Sequence, residues 1–253
     1  MKRRILLGII IFIIVMLLIL VAEFVYILKN GKNVSAPEIP RDVMSLGTGP
    51  ALTYVMMGDS TSIGQGTTYD HSYAIASLDH LAKNYSVKFV NVGISGATAK
   101  SVADIQITRA AKYKPDIVFL AVGANDTTHF TSGKTIQTAL QKTIDGLRAD
   151  NCKVKIVVTM SPALDSVSRF PVGAKQIMGL RTHQVNSAFA PIIAKNNLTL
   201  APIALKTRDA FLADPTLTAP DNFHPNERGY ALWIPVVNQA LDEALAKPTE
   251  CVK

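Results

Sequence analysis

A doubly wound α/β domain behind a single N-terminal membrane-spanning helix is the fold class this sequence predicts. Three observations carry that expectation. Residues 5–28 are apolar apart from Glu23. After residue 50, short β-rich runs alternate with longer stretches of helical pattern. Those runs are apolar on both faces, as strands of a parallel sheet covered on two sides must be. Five such strands joined by right-handed crossovers give a flavodoxin-like, five-stranded parallel sheet.

The first element is the run from Ile5 to Leu28, 24 residues. At ~1.5 Å per residue it is ~36 Å long, enough for a ~30 Å hydrocarbon core. A cleavable signal peptide has a shorter apolar region, about 7–15 residues, and a small-x-small cleavage site. Here Leu20 spoils the best such site, after Ala22. An uncleaved anchor is therefore the expectation, with a cleaved signal peptide as the alternative. Lys2, Arg3 and Arg4 hold the N-terminus in the cytoplasm and send the rest of the chain across. Glu23 then lies near the far interface, beside Phe24 and Tyr26. The expected division is residues 1–28 as flank and anchor, 29–50 as linker and 51–253 as the domain. The linker carries Gly and Pro without a sustained period and reads as a tether lifting the domain off the bilayer.

Five apolar runs mark the strands: Leu52–Met57, Val87–Val92, Ile117–Val122, Val154–Met160 and Leu198–Ile203. Helical patterns fall near 72–84, 99–113, 134–149 and 174–195, and a last one spans Asn226 to Ala246. The net charge of +7 invites a nucleic-acid reading, but its distribution argues otherwise. Residues 1–32 hold five basic side chains against one acidic, leaving 21 basic and 18 acidic on the remainder. That is an ordinary surface. Two cysteines exclude a disulfide-dense scaffold and a four-cysteine zinc site.

Parallel sheets place chemistry beyond the carboxyl ends of their strands, which directs attention to four segments. Gly58-Asp59-Ser60 follows the first strand, where Gly permits a sharp exit and Ser60 would stand exposed as a nucleophile. A short Ser-bearing turn can equally just cap a helix. Asn91-Val92-Gly93-Ile94-Ser95-Gly96 follows the second strand, where a free Gly93 N–H would donate to an anion. Gly123-Ala124-Asn125-Asp126 follows the third strand and aims an amide at developing negative charge, unless it is a plain turn. Asp221-Asn222-Phe223-His224-Pro225 opens the last helix. Asp221, three residues before His224, can bend back to the imidazole Nδ1 and leave Nε2 free to take a proton.

These four segments, in this order, resemble the blocks of the SGNH (GDSL) hydrolase family over roughly residues 52–246. The resemblance implies a serine esterase, lipase or deacetylase, with Ser60 as nucleophile, His224 as base and Asp221 as its orienting acid. It implies an oxyanion hole formed by the N–H groups of Ser60 and Gly93 and the Asn125 side chain. Thr61 stands where many members carry Leu. The chemistry needs no metal or organic cofactor. A carboxylic ester of a small molecule, glycan or lipid is the expected substrate, and nucleic acid is not. The expected state is a monomer held to the membrane by its N-terminal helix, with the domain outside the cytoplasm. An acyltransferase using the same triad and a non-catalytic binding module are the rival readings.

His71, His80 and His183 lack metal-ligand spacing and read as surface or half-buried, while His129, following the Asn125 loop, reads as another such residue, with a place in the pocket wall as the alternative. Sequons occur at Asn33, Asn84, Asn125 and Asn197, the third by coincidence with the site. The loops 161–173 and 204–223 should wall the site, with Phe170, Pro171, Phe211 and Leu212 as core or pocket. Cys152 precedes the fourth strand at the sheet edge opposite the site. A last helix of ~31 Å running back down the sheet brings Cys251 to that edge, so the two can pair; otherwise Cys152 is a small core residue.

Overall fold

A computed structural model of the 253-residue chain describes residues 2–30, 32–40, 42–248 and 251. The chain begins with helix α1 (Lys2–Asn30), whose segment Arg3–Ile27 is long and apolar enough to cross a membrane, its most apolar 18 residues having a mean hydropathy of 3.6. Six strands follow: β1 (Met44–Leu46), β2 (Ala51–Gly58), β3 (Ser86–Asn91), β4 (Ile117–Ala121), β5 (Lys155–Thr159) and β6 (Thr199–Leu200). They form one sheet in the order β1-β3-β2-β4-β5-β6, parallel except for β1 against β3.

The five-stranded, all-parallel sheet of the sequence reading is therefore corrected to a mixed, six-stranded one. The extra strand lies in the stretch expected to be a linker. Met44–Leu46 is too short for a period to show, yet it pairs with the edge of β3 that would otherwise be open. The rest of that stretch does not hang free either. Gln65 Nε2 donates to Val34 O at 2.9 Å, Arg169 Nη1 to Lys32 O at 3.3 Å, and Ile39 packs on the core.

Alternation along the strands divides the core in two. Tyr54 and Met56 of β2 and Ile117 and Phe119 of β4 face one side. There α2 (Tyr73–Ala82) and α9 (Glu227–Ala246) cover them. Val55, Met57, Val118 and Leu120 face the other, under α6 (Gly133–Asp150) and α7 (Val172–Lys195). The helical pattern at 99–113 is not uniform. It runs as α3 (Ala99–Ser101), a wide π-helical stretch Val102–Gln106, and α4 (Ile107–Ala111). A short α5 (Ala124–Thr128) follows β4.

The expected loop 204–223 is also corrected, because Ile203–Ala213 forms helix α8. Pro202 ends the fifth apolar run early, leaving β6 two residues long. Cys152 and Cys251 are joined by a disulfide with Cα atoms 5.2 Å apart, at the sheet edge away from the strand C-termini.

That bond closes a loop with a sequence separation of 99. Opening it with Cys152→Ser or Cys251→Ser should lower the unfolding free energy by ~2–5 kcal/mol. Urea unfolding of the detergent-solubilised protein, with and without reductant, reads this; equal midpoints would show that the bond contributes nothing.

Candidate active site

Ser60 owes its position to the way β2 ends. Gly58 has φ +138°, and a Cβ there would lie 2.0 Å from the Ala121 carbonyl oxygen of β4. Only glycine fits both the backbone and the space. The turn is pinned from two sides. Asp59 N donates to Ala121 O at 2.9 Å. The side chain of Gln106, fully buried in the π-helical stretch, accepts from Gly58 N and donates to Gly58 O, both at 2.8 Å. Asp59 is buried, and its Oδ1 accepts from Thr61 N at 2.9 Å and Thr61 Oγ1 at 2.8 Å. Burial pushes the Asp59 carboxyl up to about 6, outweighing those hydrogen bonds and the nearby His224.

The segment before α9 brings its acid and imidazole to Ser60. Asn222, at φ 57°, turns the chain, and Asp221 Oδ1 accepts from Phe223 N at 2.9 Å and His224 N at 3.0 Å. This local loop leaves Asp221 Oδ2 for the His224 Nδ1–H, at 2.6 Å. His224 Nε2 lies 2.9 Å from Ser60 Oγ and accepts its proton's hydrogen bond. The Asp221 carboxylate is buried, which raises its pKa, but its bonds to His224 and to two backbone N–H groups prevail and hold it below the usual value. The three side chains expected to meet do meet.

The expected oxyanion donors are less uniform. Ser60 N–H donates to no protein group among the described residues. Asn125 Nδ2 spends one hydrogen on Ala97 O at 3.1 Å and keeps the other. Gly93 N–H is not free as expected, because Asn91 folds its side-chain oxygen back to it at 3.0 Å. Any anion there would share that donor with Asn91. A Cβ at residue 93 would sit 2.1 Å from Ser62 Oγ and would displace that hydroxyl from its bond to Asp59 O.

Several residues that organise the site had no legible signal in the sequence. Asn91 also donates to Ser62 O at 2.7 Å and Tyr69 Oη at 3.1 Å, which joins the second segment to the first. Asp126, fully buried, accepts from Ala99 N at 2.9 Å and so joins the third segment to the second; burial raises its pKa. Buried amides and acids of this kind look like ordinary polar residues until their partners are known.

His129 is exposed, with Nδ1 on Asn125 O at 2.8 Å, and does not line the recess beside His224. His71 and His80 pair with Glu227 and Asp242, and His183 is exposed. That recess is narrow and apolar, with about 30 Å³ of free volume. Thr61, Ala124, Leu164, Phe211, Phe223 and Trp233 are among the residues that line it. Of the four loop residues singled out, Phe211 is in the core and lines the recess, and Phe170 packs edge-on against Phe223. Pro171 is half-buried and precedes α7, while Leu212 is exposed.

A turn-borne serine, an imidazole and a carboxylate at the C-terminal edge of an α/β sheet are the equipment of a hydrolase class found on many folds. The chain belongs to the GDSL-like lipase/acylhydrolase family, whose profile matches residues 56–232, more than half its length. It is an ester-hydrolysing enzyme. A sequence comparison with curated proteins found no match.

Among solved structures, the fold is shared with a putative GDSL-like lipase from Parabacteroides merdae. That pair has 17% identity and a TM-score of 0.65, over 78% of this chain and 97% of the other. A psychrotrophic esterase from Pseudoalteromonas is 19% identical, with a TM-score of 0.59 over 77% and 99% of the two chains. A variant of an acetyl-xylooligosaccharide esterase from Geobacillus is 17% identical, with a TM-score of 0.60 over 81% and 98%.

The raised Asp59 carboxyl makes a pH prediction. Its pKa is 3.8 when solvated and about 6 in the fold. The native state therefore binds the extra proton in that window, and this group's contribution falls as pH rises from about 4 to about 6. Above that it is a constant penalty of ~3 kcal/mol. Asp59→Asn keeps an oxygen for Thr61 and removes the charge. It should be more stable than wild type at pH 7 and no more stable at pH 4, by urea unfolding; an equal gain at both would refute the assignment.

Proposed function

We propose that the protein is a membrane-anchored, extracytoplasmic serine esterase that cleaves carboxylic esters through an acyl-enzyme on Ser60. The observation that carries the reading is the unbroken hydrogen-bond chain from Asp221 through His224 to Ser60 Oγ. His224 takes the Ser60 proton as Oγ attacks the ester carbonyl, then returns it to the departing alkoxide. Asp221 fixes the tautomer and supports the imidazolium. The oxyanion gathers the Ser60 N–H, the spare Asn125 hydrogen and a share of the Gly93 N–H. Water then repeats the sequence on the acyl-enzyme.

The location rests on other features. Lys2, Arg3 and Arg4, ahead of the apolar run that begins at Ile5, favour a cytoplasmic N-terminus. The disulfide suits an oxidising compartment outside.

Hydrolysis of a nitrophenyl acetate by the purified protein tests the reading. Ser60→Ala and His224→Ala should each lower kcat by more than ~10³-fold, with the double variant hardly worse, because the two act as a unit. Asn125→Ala should lower kcat by ~10²–10³-fold. Fluorophosphonate should label wild type and not Ser60→Ala. Undiminished turnover by Ser60→Ala would overturn the proposal.

A further inference from the structure

Glu23 interrupts the apolar run of α1, and the structure supplies its partner. Its two carboxylate oxygens accept from Gly173 N and Ala174 N, each at 2.9 Å, at the start of α7. That helix start has no side-chain cap of its own, its preceding residue being Pro171. A carboxylate on two free N–H groups at a helix N-terminus satisfies both groups and the helix dipole. The fit is close, since a Cβ on Gly173 would lie 2.8 Å from Glu23 Oε2. Among the described side chains of the Arg3–Ile27 span, Leu20, Glu23 and Ile27 are the half-buried ones. Their spacing of three and four puts them on one helical face, against α7.

This contact lies on the catalytic edge of the sheet. Helix α7 starts at the end of the loop leaving β5, and residues 169–171 run from it directly to the site. Arg169 N donates to Asn222 O at 2.9 Å and Arg169 Nη1 to Asp221 O at 3.2 Å. The Arg169 guanidinium lies over Phe223, which stands edge-on to both Phe170 and His224. The irregular segment following α1 then crosses the same edge, through Lys32 O on Arg169 and Val34 O on Gln65. Large apolar side chains on this edge are bare: Phe130 after β4, Val172 after β5 and Leu205 after β6 are 57, 75 and 81% exposed.

Length fixes the depth. The uncharged run Ile5–Ala22 has 18 residues, ~27 Å of helix, against a ~30 Å hydrocarbon core. That run nearly fills the core by itself, so Glu23, the next residue, and the start of α7 belong to the headgroup layer. Lys29 and Lys32, just beyond, suit the same layer.

We propose that the catalytic edge is docked on the outer face of the bilayer, with Glu23 as its latch. The mouth over Ser60 opens onto the lipid surface and takes its ester from molecules held there. This rests on the esterase reading above and goes beyond it by naming the surface that presents the substrate.

Two measurements on the full chain in phosphatidylcholine vesicles test it. A fluorophore on Val172→Cys should be quenched by brominated lipid, and one on Lys153→Cys, at the opposite edge, should not. Equal quenching overturns the orientation. Second, Glu23→Leu keeps the span apolar but removes both acceptors. It should slow hydrolysis of a fluorogenic acyl ester embedded in the vesicles by about tenfold and leave a soluble nitrophenyl acetate within about twofold. If both substrates respond alike, or if wild type cleaves only the soluble ester, the bilayer proposal fails while the esterase reading stands. If Ser60→Ala cleaves both at the wild-type rate, the esterase reading itself fails.

Discussion

The close contact between Gly58 and the Ala121 carbonyl is the constraint on which the site depends. Strand β2 lies between β3 and β4, where the winding of the sheet reverses and the crossover helices leave for opposite faces. A crevice opens at such a point, beyond the carboxyl ends of the central strands. The chain leaving β2 must turn sharply there while passing almost in contact with β4. Glycine permits the passage, and Gln106 clamps the peptide from the other side. Ser60 is thereby held by backbone geometry rather than by its own side chain, which is left for His224.

Buried polar groups then bind the separate loops into one unit. Asn91 joins the Gly93 segment to the Ser60 turn, and Asp126 joins the Asn125 segment to the start of α3. Asp221 folds its own loop before it orients His224. Polar groups this deep are costly unless paired, so each acts as a fastener with a single satisfactory arrangement. The burial that raises Asp59 shows the cost of placing acid beside the nucleophile. The opposite direction at Asp221 shows how many donors were gathered to keep that carboxylate charged.

The N-terminal helix meets the domain at the same edge as the chemistry. A carboxylate in an apolar helix is a poor choice unless something waits for it, and here two bare N–H groups do. Residues 169–174 connect α1 to the Asp221–His224 loop. The disulfide fastens the other end of the sheet, where the tail returns beside β5.

Much was determined by local sequence. The apolar run of residues 5–28, the two-faced hydrophobic strands and the four site segments in order carry signals of period, turn chemistry and spacing that need no partner to be read. Asp221 and His224, three residues apart, even specify their own loop. Tertiary structure alone decided the rest, because it turned on which groups lacked a partner. Met44–Leu46 became a strand since β3 had an open edge, and Pro202 cut short the fifth apolar run. The Gly93 N–H was claimed by a side chain two residues away. Glu23 found its reason in a helix start about 150 residues further along the chain. Hydrogen-bond satisfaction is a property of the assembled molecule, and no pattern along the chain records it.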